Sequence, residues 1–221
     1  MGVRLSSKLT MGLLLIALVT SILLTNIVLS GEELTVDTKV RALIISLFGE
    51  STQGFFSTIT PLGDKIGVIS VGILFLLWLW WKSRDYIGLA VGIVAVALGN
   101  ELNKFLKATI GRPRPEMEYL DHVESLSFPS GHAMIAIILY TYIAYFSIKQ
   151  LKKTAVKWII GLAASVVIML IGISRVVLQV HYPTDVIGGF AIGYIWIVLL
   201  LFVYEWVTMK MNVKKDRDIS L

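Results

Sequence analysis

The chain has 221 residues, of which 56% are hydrophobic and 16% charged, and its mean hydropathy is +0.80. Soluble domains are typically ~45–50% apolar and ~25% charged, so a soluble domain is excluded and an integral membrane protein is expected. The absence of cysteine excludes a disulfide framework and a thiolate metal site. The net charge of +5 is assigned to loops on the inner side of a membrane, not to a nucleic-acid partner.

A spanning helix needs ~20 mostly apolar residues. Six runs qualify in chain order: 10–29, 64–81, 86–103, 133–148, 158–174 and 186–208. Long continuous runs imply helices, because a helix satisfies its own backbone hydrogen bonds in lipid. The expected fold is therefore all-α, with six transmembrane helices in one domain over 1–221. The first run has the basic start of a signal peptide, but it is long for an apolar h-region and lacks a small-residue cleavage site; it is read as a retained span. With the N-terminus inside, twelve of the twenty Lys and Arg fall in inner segments and eight in outer ones. That bias places both termini in the cytoplasm. Residues 30–63 are too polar to span and too apolar for a free loop. Val40, Leu43, Ile44, Leu47 and Phe48 recur at helical spacing, which fits either an amphipathic segment on the outer leaflet or packing against the bundle. Trp78, Trp80 and Trp81 close the second run as an aromatic belt.

Three stretches on the predicted outer side carry the chemistry: KATIGRPRP at 107–115, FPSGHA at 128–133 and SRVVLQVHYPTD at 174–185. Ionisable residues beside a bilayer are costly, so they point to function. Lys107, Arg114 and Arg175 supply three cations, with Arg112 a possible fourth. The arginine fork suits a phosphate bidentately and lysine acts as a point charge. Ser130 adds a hydroxyl, and Gly131 opens a helix whose free N–H groups face an anion. Together they suit one tetrahedral dianion. Of the three histidines, His132 and His181 fall in these stretches, and Asp185 lies four residues after His181. A carboxylate there holds the imidazole tautomer, Pro183 suits the first position of the last helix, and a neutral His181 can attack phosphorus while His132 protonates the departing alkoxide. His122 is read as an ordinary interfacial residue, and Glu101 and Asn103 as caps of a helix end in preference to groups that tune His132 or contact a headgroup. Two histidines and an aspartate are a possible zinc set, but the surrounding cations disfavour a divalent ion and already stabilise phosphoryl charge, so no metal or cofactor is expected. A transporter would place its polar groups nearer the midplane, and a binding protein would not need the His181–Asp185 pair.

Lys107 with Arg114–Pro115, then Pro129-Ser130-Gly131-His132, then Ser174–Arg175 with His181 and Asp185 resemble the three-part signature of the type 2 phosphatidic acid phosphatase superfamily. Every signature position matches, in order; the Arg112–Pro113 duplicate does not fit the spacing from Lys107 and stays outside it. The resemblance implies a helical core like that of acid phosphatases and vanadium haloperoxidases, with the site at the outer membrane–water interface. It implies phosphate binding by Lys107, Arg114, Ser130, Gly131 and Arg175, and catalysis by His181, Asp185 and His132. Size and layout are similar to small bacterial lipid phosphatases of the phosphatidylglycerophosphatase type, including forms acting on undecaprenyl pyrophosphate. A multi-pass protein of a bacterial cell membrane is therefore expected, taking a membrane lipid phosphate and needing no obligate protein partner.

Overall fold

The computed structural model describes residues 7–31, 34–115 and 125–219, and within them the regular elements are helical. They are α1 (Lys8–Leu29), α2 (Thr35–Phe48), α3 (Gln53–Ile59), α4 (Lys65–Ser83), α5 (Tyr86–Ile110), α6 (Gly131–Lys149), α7 (Thr154–Val177) and α8 (Pro183–Ile219), with short 3₁₀ turns at Glu50–Thr52 and Thr60–Gly63. Six of them, α1, α4, α5, α6, α7 and α8, are long and apolar enough to cross a membrane. They correspond one to one with the six expected runs, and several are longer. α5 continues to Ile110 and α7 begins at Thr154, because the flanking Lys, Leu and Ala residues still favour helix where the apolar window has ended.

Local signals set the helix ends. Ser7 caps α1 by accepting from the Thr10 amide, and Asp85 caps α5 by accepting from Gly88, each satisfying a donor that would otherwise lack a partner. Gly111, at φ +71°, ends α5 in the left-handed conformation, where glycine carries no Cβ penalty. Pro183 opens α8 with Asp185 in its first turn, as the sequence predicts.

α6 is the central helix. Its apolar window is 61% buried, against 6% for α1, and it packs on α8, α7, α5 and α4. Lipid supplies no hydrophobic drive between helices, so close backbone approach by small residues decides such packing. Gly189 and Gly193 on α8 supply it. A Cβ at Gly189 would lie 2.7 Å from the Ser130 carbonyl oxygen, and one at Gly193 would lie 2.6 Å from that of Met134. This contact presses the start of α6 against the start of α8. At the opposite end of the bundle, Tyr145, Phe146 and Tyr204 stack edge to face, and Tyr204 donates to Asp85 at 2.5 Å.

Residues 34–63 pack on the bundle, chiefly on α7. α2 buries Asp37 and half-buries Val40, Ile44 and Phe48, while Leu43 and Leu47 stay exposed. The inward stripe is therefore rotated from the apolar one, because Asp37 has polar partners to meet.

Candidate active site

The C-terminal ends of α5 and α7 and the N-terminal ends of α4, α6 and α8 meet at one end of the bundle. Lys107 lies in the last turn of α5 and donates to the Leu126 carbonyl at 2.6 Å and to Ser125 Oγ at 3.3 Å. Arg114 donates to the Ser125 carbonyl at 2.5 Å, to Ser125 Oγ at 2.9 Å and to the Val180 carbonyl at 2.6 Å. One guanidinium thus ties the first motif to the approaches of the second and third. Arg175, in the last turn of α7, is 2% exposed. It donates to Thr60 Oγ1 at 2.6 Å.

The second motif is held from two sides. Asn103 donates to the Pro129 carbonyl at 3.2 Å, and the Ser130 amide donates to the Asp185 carbonyl at 3.0 Å. Gly131 starts α6 with no room to spare, since a Cβ would meet Asn103 Oδ1 at 3.1 Å. Ser130 Oγ is buried and meets no hydrogen-bond partner among the described residues. A buried hydroxyl without a partner calls for a missing polar group. A phosphate oxygen fits here, beside free helix N-terminal amides and among Lys107, Arg114 and Arg175.

His181 is 1% exposed, and Asp185 is fully buried in the first turn of α8. His181 Nδ1 lies 3.3 Å from Asp185 Oδ2. That oxygen also accepts from the Tyr182 amide at 2.9 Å and from Ser127 Oγ, and Ser127 Oγ lies 3.4 Å from Nδ1. With Nδ1 facing the carboxylate, Nε2 is the nitrogen left to react. Burial pushes the His181 imidazole down to about 3, against the opposing pull of Asp185, and Arg114 and Arg175 lower it further. His181 is therefore a neutral base at physiological pH. His132 lies at the start of α6, and its Nε2 is 2.6 Å from Asp64 Oδ1, at an angle too bent for a well-formed hydrogen bond. Lys107 and Arg175 lie within electrostatic reach of both His132 and each other.

The structure brings Lys107, Arg114, Ser130, Gly131, His132, Arg175, His181 and Asp185 together. Several neighbours were not legible as site residues, and Arg112, by sequence a possible fourth cation for phosphate, meets two carboxylates instead. Arg112, outside the signature, donates to Asp185 Oδ1 at 2.6 Å, to Thr184 at 2.8 Å and to Asp37 Oδ2 at 2.7 Å. It also lies 4.0 Å from the Tyr182 ring centroid. Asp37 additionally accepts from the Thr184 amide at 2.9 Å and its hydroxyl at 2.7 Å. Asp37 is one of four acids in the 30–63 stretch, and nothing in the sequence set it apart from the other three. Ser127, Thr60 and Asp64 had no signal beyond lying next to apolar runs. Glu101 and Asn103 do not cap a helix end, because α5 runs on to Ile110. Asn103 clamps the second motif, and Glu101 is exposed beside Lys104 at 2.7 Å. His122 lies outside the described residues.

A cavity of about 620 Å³ runs inward from His132 and Gly131 between α4, α5 and α6. Lys65, Asn100 and Lys104 stand at its mouth, Val68, Leu76, Val96, Ile135 and Leu139 line its walls, and Tyr142 lies at its far end. From His132 to Tyr142 is ten helical residues, about 15 Å. Ile69, Ile73 and Ile93 line the cavity yet are 47%, 51% and 57% exposed, so it opens sideways between α4 and α5. Among the described residues of the 30–63 segment, only Gly63 lines it.

Residues 88–210 match the model of the PAP2 superfamily. Phosphatidylglycerophosphatase B of Bacillus subtilis is 39% identical over 145 residues, covering 65% of this chain and 68% of that protein. Undecaprenyl-diphosphatase of Sulfolobus acidocaldarius is 33% identical over 131 residues, covering 56% of this chain and 58% of the other. The crystal structure of a transmembrane PAP2-type phosphatidylglycerolphosphate phosphatase from Bacillus subtilis superposes with a TM-score of 0.75 at 30% identity, over 86% of this chain and 96% of that one. Sequence and fold agree over the stretch that carries all three motifs, and this multi-pass chain belongs to the PAP2 superfamily of phosphatases.

Proposed function

We propose that this phosphatase hydrolyses the terminal phosphate of phosphatidylglycerophosphate, giving phosphatidylglycerol and inorganic phosphate through a phosphohistidine. The observation that carries the reading is the unpartnered, buried Ser130 hydroxyl, set among Lys107, Arg114 and Arg175 beside a neutral His181. These three cations, Ser130 and the amides from Gly131 onward hold the phosphoryl oxygens. His181 Nε2 attacks phosphorus, and Asp185 orients the ring and stabilises the charge it gains. His132 gives a proton to the leaving alkoxide. It then takes one from the water that attacks phosphohistidine, returning the P–N electron pair to His181. The cations neutralise charge on the transferring oxygens, which is the work a metal ion does at other phosphoryl-transfer sites.

The cavity supports a lipid substrate. Its mouth is polar, its walls are apolar and its open side faces where lipid lies, so an acyl chain enters laterally while the phosphate stays at headgroup depth. The distribution of Lys and Arg supports an outward-facing site in a bacterial cell membrane, with both termini cytoplasmic. Undecaprenyl pyrophosphate is the second substrate to weigh, because a terminal phosphate meets the same groups and one relative is an undecaprenyl-diphosphatase.

The test is phosphate release by the purified protein in detergent with EDTA present. Release from either lipid supports the reading, and the ratio of kcat/KM ranks the two. His181→Ala is expected to lose on the order of 10³-fold in turnover while retaining lipid binding. No release from either lipid by a protein that binds both refutes the reading.

A further inference from the structure

The 3₁₀ turn Thr60–Gly63 and the residue after it, Asp64, stand outside the three motifs yet touch two of them. Thr60 accepts from Arg175 at 2.6 Å and from Ser174 Oγ at 3.1 Å. Asp64 Oδ1 lies 2.6 Å from His132 Nε2. The turn is fitted closely to its place. A Cβ on Gly63 would meet Ile171 at 2.7 Å and the His132 ring at 3.2 Å, and Tyr140 donates to the Leu62 carbonyl at 3.1 Å. Asp64 is also the residue before α4, a position where a carboxylate ordinarily turns back to cap the helix. Here it makes no capping bond and reaches His132 instead.

We propose that Asp64 is a positioning residue for the proton donor of the hydrolytic reaction, pairing with protonated His132 Nε2 until the leaving oxygen takes its place. The proposal rests on the roles given above to His181 and His132. The groups facing His132 make such a residue necessary. Arg175 from α7 and Lys107 from α5 both act on the ring, and Lys65 and Lys104 line the same cavity. Like charges disfavour protonation, as does burial. A general acid that has lost its proton is useless to an alkoxide. Asp64 is the one carboxylate placed against the ring among the described residues, and it offsets part of the penalty that burial and the cations place on the imidazolium. Contact with His132 and the field of Arg175 in turn hold Asp64 below the usual carboxylate range, so it remains anionic.

One N–H points along one axis, so Asp64 and the leaving oxygen take turns at Nε2. The bent contact and a half-exposed carboxylate permit that exchange. As the P–O bond breaks, its electron pair goes to the leaving oxygen, which takes the proton from Nε2. Neutral His132 then takes a proton from the water that attacks phosphohistidine, and the imidazolium is again paired with Asp64. Phosphate leaves, and the protons balance over one turnover.

The test compares wild type, Asp64→Asn and Asp64→Glu on two esters with the same apolar tail: the alkyl phosphate of a lipid, and an aryl phosphate whose nitrophenolate leaves without a proton. Asp64→Asn is expected to lower kcat on the alkyl ester by on the order of 10²-fold and to move the basic limb of the kcat pH profile to lower pH. On the aryl ester it should stay within about twofold of wild type, and Asp64→Glu should recover part of the loss. Equal loss on both esters, or no loss on the alkyl ester, overturns the proposal. Retained turnover of the aryl ester shows that Asp64→Asn is folded. Failure of wild type to release phosphate from either ester would refute the phosphatase reading itself, a different result from either of these.

Discussion

Arg112 offers the sharpest separation of stability from catalysis. Its guanidinium bridges Asp185 at 2.6 Å and Asp37 at 2.7 Å, and both carboxylates are buried, with Asp185 fully so. Removing one partner of a buried ion pair costs about 3–5 kcal/mol, because the charge left behind keeps its desolvation penalty. Arg112→Ala strands two carboxylates that share this cation, and it also removes a hydrogen bond to Thr184. The expected loss of stability is about 3–5 kcal/mol, read as unfolding in detergent by tryptophan fluorescence. Turnover should fall by on the order of 10²-fold, since Asp185 loses the cation that holds it against His181. Adding Asp37→Asn should restore about half of the stability, because one stranded charge is gone. It should not restore turnover, because Asp185 still lacks its cation. Arg112→Lys offers one ammonium where a fork is needed and should fall between. Stability within about 1 kcal/mol of wild type, with unchanged kcat for Arg112→Ala, would refute the idea that this bridge is dry and structural.

The remaining predictions concern the histidine, a helix contact and a hydroxyl. With His181 pushed down to about 3 in the folded protein and ~6.5 unfolded, the unfolded chain binds the extra proton. Stability is then complete above about pH 6.5 and falls as pH drops toward about 3, by at most ~1.4 kcal/mol per unit. His181→Gln should flatten that slope in acid unfolding curves. The acid limb of kcat/KM should not reflect protonation of the nucleophile between pH 7.5 and 5. Gly189→Ala places a methyl 2.7 Å from the Ser130 carbonyl; about 1–3 kcal/mol of overpacking and at least a tenfold loss of kcat are expected, though no site residue is changed. Ser127→Ala removes a donor to Asp185 but leaves Tyr182 and Arg112 on that carboxylate. Loss of turnover should be about tenfold, much smaller than for His181→Ala.

What was legible in the sequence was what depends on near neighbours. Each spanning helix must satisfy its own backbone in lipid, so six apolar runs announced six helices without reference to one another. Pro183 at the start of α8 and Asp185 four residues after His181 are local as well, and the same turn of chain delivers both. The residues of the three motifs were readable as a group because the motifs state residue type and spacing together. Tertiary structure decided what depends on residues far apart. Asp37 meets Arg112 across 75 positions and Thr60 meets Arg175 across 115, and no periodicity encodes such pairs. The 30–63 segment turns Val40, Ile44 and Phe48 of its apolar stripe inward but leaves Leu43 and Leu47 exposed, because Asp37 on the same face has polar partners to meet. Arg112 broke the signature spacing and still reached Asp185, since a flexible arginine after the Gly111 turn answers to distance in space and not in sequence. The close approach of α6 to α8, set by Gly189 and Gly193, brings Ser130 to Asp185 and so makes three separate motifs one site. Packing of that kind is a property of two surfaces at once, which a single stretch of sequence cannot contain.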